Sequence, residues 1–250
     1  MDFTVLTLFP ELVNAFFSHG MMSRAIDKGL ISGRATDIRQ FAVDRHNSVD
    51  DRPYGGGSGM VMMPGPLKAA VRDAKACNPG SKVVMMSPQG EKFTQAKACE
   101  LAKTGTGIIF ICGRYEGVDE RVYTELVDEE ISIGDYVMTG GELAAMVIID
   151  STARLIPGVL GSAQSAAADS FTGDRLEYAQ YTRPEIFDGK KVPEVLVSGN
   201  HEKIRLWRKE SSLKRTFLKR PDLLHRTGLD DEEKTMVRQW CRELENLAAS

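Results

Sequence analysis

Three segments of this chain join an apolar run to a loop that bears glycine. They read Val83-Val-Met-Met-Ser-Pro-Gln-Gly90, Gly107-Ile-Ile-Phe-Ile-Cys-Gly-Arg-Tyr-Glu-Gly117 and Glu130-Ile-Ser-Ile-Gly-Asp-Tyr-Val-Met-Thr-Gly-Gly-Glu142. A run of this kind is a strand, and a loop at its end offers unpaired backbone N–H and C=O groups to a small molecule. The glycines let a ligand approach the backbone closely, Tyr115 can cover a flat ring, and Glu116 can face a cation. Two such turns suit recognition of an adenine edge by main-chain atoms. If all three loops converge, they make one pocket.

Other chemistry-bearing residues are less committal on their own. Arg52-Pro-Tyr-Gly-Gly-Gly-Ser-Gly59 lacks the Gly-Lys-Ser/Thr ending of a phosphate loop and the spacing of a dinucleotide fingerprint. It reads as a flexible loop, and its polar flank from Asp44 suits closure over a large polar substrate. Arg154 reads as a surface cation at a helix end, and Asp169 as a cap or turn residue. The four cysteines and four histidines lie at no metal-ligand spacing. The cysteines read as buried, reduced thiols.

Charge is unevenly distributed. Lys203–Arg220 holds eight basic residues and one acid, while Glu116–Asp135 holds eight acids against Arg121. Such separation suits a polyanion-facing segment and a cation-tolerant one on the same molecule; two solvated helix faces are the plainer account. No apolar run approaches the ~20 residues of a membrane span. The N-terminus reads as a first strand rather than a signal peptide.

The elements that must position these residues alternate. Phe3–Phe9 reads as a strand, followed by a helix from Pro10 to Phe17 and a second strand over Asp37–Val43. Pro66–Cys77 reads as helix, Lys82–Met86 as strand, Thr94–Lys103 as helix and Ile108–Cys112 as strand. Glu120–Asp128 reads as helix, Ile131–Ile133 as a short strand and Glu142–Leu155 as a buried helix. This predicts an α/β fold with a mostly parallel sheet, with the glycine loops at the carboxyl ends of strands where ligands bind. After Gly158 the composition becomes small and polar. We expect a domain over 1–160, a mobile linker over 161–174 and a small helical domain over 175–250. Asn200 is expected to cap the basic helix. Asp230-Asp-Glu-Glu opens a last helix whose Val237, Trp240 and Leu244 share a packed face.

Taken together, Val49-Asp-Asp-Arg-Pro-Tyr-Gly-Gly-Gly57, Ser87-Pro-Gln-Gly90, Cys112-Gly-Arg-Tyr-Glu-Gly117, Ser132-Ile-Gly-Asp-Tyr-Val137, Ile156-Pro-Gly-Val-Leu-Gly161, Asp169-Ser-Phe171, Tyr181-Thr-Arg-Pro-Glu185 and Ser198-Gly-Asn-His201 resemble bacterial tRNA (guanine-N1)-methyltransferases. The resemblance runs from the first strand into the basic helix. It implies the SPOUT methyltransferase fold, with a deep trefoil knot serving as the cofactor pocket. It also implies a cytoplasmic homodimer whose active sites are shared between subunits. The cofactor is S-adenosylmethionine and the substrate is the guanosine just 3′ of the anticodon, position 37 of tRNA.

Residue by residue, the resemblance makes Asp169 the general base on guanine N1, and Arg154 the group that stabilises negative charge on O6. Glu116 places the base or, with Asp169, a magnesium ion. The cofactor would be held by Met86, Ser87, Pro88, Gly113, Tyr115, Glu116, Ile133, Gly134, Asp135, Tyr136, Val137, Met138, Gly140 and Gly141. RNA contacts fall to His46, Arg52, Gly59, Ser165, Lys214 and Arg215. Two positions depart from the family pattern: Ala144 stands where proline is usual, and Ala168 where an acid is frequent. Alternatives within reach of the same residues are a SPOUT enzyme acting on ribosomal RNA or a ribose oxygen, and a catalytically silent RNA-binding relative.

Overall fold

The computed structural model describes residues 1–161 and 169–249. The chain divides into two compact units, Met1–Ala163 and Gln164–Ser250.

The first unit is built on a five-stranded parallel sheet. Its strands are β1 (Asp2–Thr7), β2 (Ser32–Asp37), β5 (Lys82–Lys92), β6 (Ile108–Cys112) and β7 (Glu129–Ser132), in the order β2-β1-β6-β5-β7. The intervening β3 (Asp50–Asp51) and β4 (Val61–Met62) form a separate antiparallel pair. Every residue of β6 is buried, as a central parallel strand covered on both faces requires. Side chains alternate between the faces. Phe3, Val84, Phe110 and Cys112 enter one core cluster, whereas Leu6, Met85, Ile109 and Ile111 enter the other. Helix α6 (Glu142–Ala153) supplies Ala145, Ile148 and Ile149 to the first cluster, and α3 (Pro64–Cys77) supplies Leu67 and Val71 to the second.

The second strand lies earlier than the sequence pattern suggests. Ser32–Asp37 pairs with Asp2–Thr7 residue for residue, and Ile38–Phe41 is a short 3-10 helix instead of strand. Asp37 turns the chain there, because its carboxylate accepts from the Arg39 amide at 2.9 Å. Helix α2 (Gly20–Asp27) is a further element that the sequence reading did not separate.

The second unit is mainly helical, with a β-hairpin pairing Ile186–Phe187 with Lys190–Lys191. Its long helices span His201–Lys219 and Asp231–Ala249. Asn200 caps the first by accepting from the Lys203 amide at 3.0 Å. Asp230 and Glu233 cap the second reciprocally, each side chain accepting from the other's amide at 2.9 Å. Leu244 is exposed rather than packed, in contrast to the half-buried Val237 and Trp240 on the same helix. The thiols also differ from expectation. Only Cys112 is fully buried, while Cys77 and Cys241 are exposed because both occupy outward helix positions.

Candidate active site

The bulge within β5 and the loops after β6 and β7 meet around one cavity of about 230 Å³. Its wall includes Met86, Ser87 and Pro88 from the first of these segments, and Gly113, Tyr115 and Glu116 from the second. Ile133, Gly134, Tyr136, Val137, Met138, Gly140 and Gly141 come from the third. Parallel pairing explains the convergence. Met86 lies opposite Cys112 on one side and Ile131 on the other, so β6 and β7 end level with the point where β5, expected to stop at Met86, instead bulges and resumes its pairing with β7 at Glu91. Asp135 does not join the wall. Its side chain is 83% exposed and its carboxylate is held by Lys92 at 2.7 Å.

Backbone bonds shape each loop. Gly117 N–H closes a tight turn on Arg114 C=O at 3.1 Å, and Tyr115 takes a left-handed φ of 59° within it. Gly134 N–H bonds Ser132 Oγ at 3.2 Å, and Ser132 Oγ donates to Gly134 C=O at 3.1 Å. Gly141 N–H donates to Gly113 C=O at 3.1 Å, tying the third loop to the second. A Cβ on Gly141 would lie 2.9 Å from Cys112 Cα, so only glycine permits that approach.

Electrostatics around the cavity follow burial. Burial pushes the Tyr115 hydroxyl above its ordinary value, and the neighbouring Asp50 carboxylate adds to the effect. Burial likewise raises Tyr123, with Glu130 contributing. The Cys112 thiol beneath the floor is pushed well up by burial and by Glu142, so it stays protonated and inert.

The loop carrying His46, Arg52 and Gly59 adjoins this rim. Its backbone is anchored by Glu116 N–H donating to Met60 C=O at 3.0 Å. Gly59 lies against the Glu116 side chain, and a Cβ there would come within 2.4 Å of it. His46 and Arg52 are exposed. Arg154 follows α6, half-buried, with its amide bonded to Asp150 C=O at 3.2 Å. Ser165 lies outside the described residues.

Among the described residues, no group of three or more His, Cys, Asp or Glu is placed to hold a metal ion. No helix among them is long and apolar enough to cross a membrane.

A model of the family tRNA (Guanine-1)-methyltransferase TrmD matches residues 1–226. This chain belongs to that family. A relative from Geobacillus kaustophilus, named tRNA (guanine-N(1)-)-methyltransferase, is 51% identical over 245 residues, covering 98% of this chain and all of that protein. A Shewanella frigidimarina protein of the same name is 53% identical over 245 residues, covering 98% of each. One from Desulfatibacillum aliphaticivorans is 49% identical over 247 residues, covering 99% of this chain and 94% of that protein. Membership makes the chain a methyltransferase of the SPOUT class.

In the second unit, Asp169 immediately precedes a segment bolted to the helices. Glu177 N–H bonds Ser170 Oγ at 3.0 Å, and Leu176 N–H bonds Thr216 Oγ1 at 2.9 Å. Arg175 Nε and one terminal nitrogen each bond a different Glu233 oxygen at 2.8 Å. The basic helix is less open than its charge count suggests. Arg205 pairs with Glu202 and Glu232, Lys209 with Asp230 and Glu232, and Lys214 with Glu210. Lys214 also lies over the Trp240 ring, 5.1 Å from its centre, and Arg215 is half-buried.

Sequence reasoning takes Arg114 and Thr139 only as backbone within Gly113–Tyr115 and Ile133–Gly141, and it misses Gln89 and Tyr123 in the cavity wall and Glu142 behind it. Arg114 and Glu142 stood inside the quoted loops. An acid next to two glycines at a helix start was the available signal.

Proposed function

We propose that this enzyme transfers a methyl group from S-adenosylmethionine to N1 of the guanosine at position 37 of tRNA, just 3′ of the anticodon. The observation that carries the reading is the cavity formed by the β5 bulge and the loops after β6 and β7 in a chain of this family. Its walls suit the cofactor: main-chain groups of Met86–Pro88, Gly113–Tyr115 and Ile133–Gly141 for the adenosine edges, with Ile133, Val137 and Met138 as apolar surface. The glycine floor fits as well, because a Cβ on Gly141 would collide with the packing beneath.

When bound, the cofactor supplies a methyl on a positively charged sulfonium. The protein's task is to make guanine N1 a nucleophile. N1 carries a proton near neutral pH, and the Asp169 carboxylate takes that proton as N1 attacks. Negative charge shifts to guanine O6, where the Arg154 guanidinium stabilises it. Glu116 orients the base at the rim.

Residues 1–160 would be the cofactor-binding domain, residues 161–174 the connection and residues 175–250 the tRNA-binding domain. The return of β7 beside β5, with the third loop tied to the second at Gly113 and Gly141, supports a trefoil threading. A homodimer in the cytoplasm completes the reading. Its support is an exposed apolar face of Leu12 on α1 (Pro10–Phe17) and Leu143 and Val147 on α6, joined by Phe9. His46, Arg52, Gly59, Ser165, Lys214 and Arg215 would contact the RNA.

The test measures methyl transfer to tRNA transcripts carrying G or A at position 37. Asp169→Ala should abolish transfer to the G transcript while cofactor affinity stays near wild type. Transfer that persists within tenfold, or methylation of the A transcript on ribose, overturns the assignment.

A further inference from the structure

A buried carboxylate that this reaction scheme does not use stands behind the cavity. Glu142 is 1% exposed and opens α6. An ion so far from water is costly unless donors surround it. Three do. Thr7 Oγ1 donates to Oε1 at 2.7 Å, Arg114 Nε donates to Oε1 at 3.2 Å, and a terminal Arg114 nitrogen lies 2.9 Å from Oε2. The α6 N-terminus adds favourable dipole.

Arg114 uses its remaining reach on the third loop. Its other terminal nitrogen donates to Thr139 C=O at 3.1 Å, and its guanidinium lies over the Phe9 ring, 4.4 Å from the centre. Gly140 makes room for this crossing: a Cβ there would lie 2.2 Å from Arg114 Nε. One guanidinium therefore ties the β6 loop, the β7 loop and α6 together. Thr7, whose Oγ1 accepts from Phe9 N–H at 2.9 Å, fixes the carboxylate to the end of β1.

We infer that Glu142, acting through Arg114, is a positioning residue that holds the 139–141 backbone in the geometry that binds the cofactor. The inference rests on the cofactor reading above. The fork is specific to arginine, since a lysine head is a single point of charge and cannot span Glu142 and Thr139 together. Glutamine at 142 keeps the shape but removes the charge and sets an amide against Arg114 or Thr7.

The experiment measures S-adenosylhomocysteine affinity by calorimetry on the full chain, together with thermal unfolding and saturating kcat. Glu142→Gln and Arg114→Lys should each weaken affinity about tenfold or more, the scale on which small displacements of binding groups act. At saturating S-adenosylmethionine, kcat should stay within about threefold of wild type, since the reacting groups are untouched. Amide exchange at 139–141 should quicken. If Tm falls while affinity stays within twofold, the pair is merely structural and the inference is overturned. Should Glu142→Gln fail to fold, Arg114→Lys, which keeps the charge pair, decides by the same outcomes. If the wild type binds no S-adenosylhomocysteine, the cofactor reading falls and takes this inference with it; binding by wild type with equal binding by the variants removes the inference alone.

Discussion

Each unit contains an arginine–glutamate pair with a carboxylate shielded from water, but the surroundings differ. The unit that holds Arg114 and Glu142 buries Phe3, Leu6, Phe110 and Ile111 in a sheet packed on both faces. Around Arg175 and Glu233, only Leu213, Thr216 and Leu223 join Glu233 as buried among the described residues of that unit. Apolar burial holds the first unit, so its ion pair is free to specialise in geometry. In the second unit the ion pair is itself a main fastening. Arg175 uses all its donors, reaching Glu233, Thr227 Oγ1 at 3.2 Å, Gly228 C=O at 2.6 Å and Asp174 C=O at 3.0 Å.

A pair of substitutions puts that contrast to its severest test. Phe110→Ala should cost about 3–5 kcal/mol through lost contacts and the cavity left behind. Arg175→Leu should cost roughly 2–3 kcal/mol, below the figure for a fully buried pair because both partners keep some water contact. The two readouts separate cleanly. Both tryptophans, Trp207 and Trp240, lie in the second unit, so their fluorescence reports it, while amide exchange along β6 reports the first. Phe110→Ala should quicken β6 exchange and spare the tryptophan transition, and Arg175→Leu should do the reverse. Equal shifts of both signals from either variant would show one cooperative block and dissolve the comparison.

Acid should separate the units as well. Burial pushes the Glu233 carboxyl up, but Arg175 and the Asp230 amide together hold it below its usual 4.5. Hydrogen bonds from Arg205 and Lys209 hold Glu232 down to about 2. Lys209 also lowers Asp230. A carboxyl lowered in the folded state stabilises fully above its unfolded pKa, and that contribution drains away as pH falls through the folded value. The tryptophan transition should therefore hold steady from about pH 8 to 5 and weaken from about pH 4.5 downward, in line with those directions. In the first unit, the lowered carboxyls Asp44 and Glu125 are exposed and Asp119 is a half-buried helix cap, none of them on β6, so β6 exchange should respond less. A tryptophan transition insensitive to pH between 5 and 3 would remove the ion pairs from their fastening role.

The same division explains what could be read from the chain. The three loops were legible because continuous apolar runs such as Ile108–Cys112 mark central parallel strands, and their ends mark ligand sites. Thirteen of the fourteen residues named for the cofactor line one cavity, and Asp135 alone turns outward to Lys92. Ser32–Asp37 was illegible as a strand because Ser-Gly-Arg-Ala-Thr-Asp is polar; it pairs only because β1 offers it an edge. Glu142 was passed over because a carboxylate at a helix start reads as a solvated cap until Thr7, 135 residues away, is seen donating to it. In the second unit the pattern promised a helix face at Val237, Trp240 and Leu244. What holds that helix is instead Glu233 on Arg175 and Trp240 Nε1 donating to Glu210 at 2.9 Å, partners that no periodicity encodes.

The smallest expected effect concerns the basic helix and the RNA. Counted from sequence, Lys203–Arg220 offers eight cations to phosphate. In the folded unit Arg205, Lys209 and Lys214 are already engaged by carboxylates of the same unit. A cation that must leave a carboxylate to meet a phosphate releases fewer counterions on binding than a free one. Each fully formed phosphate contact changes the slope of log affinity against log salt by about 0.7–0.9. Lys214→Gln with Arg215→Gln should thus flatten the tRNA-binding slope by less than two full contacts would, while weakening affinity at low salt. A drop equal to two complete contacts would mean that RNA pulls Lys214 off Glu210 and Trp240, and that the second unit trades internal fastenings for phosphate when it binds. No change in slope would assign the helix to holding its own unit together.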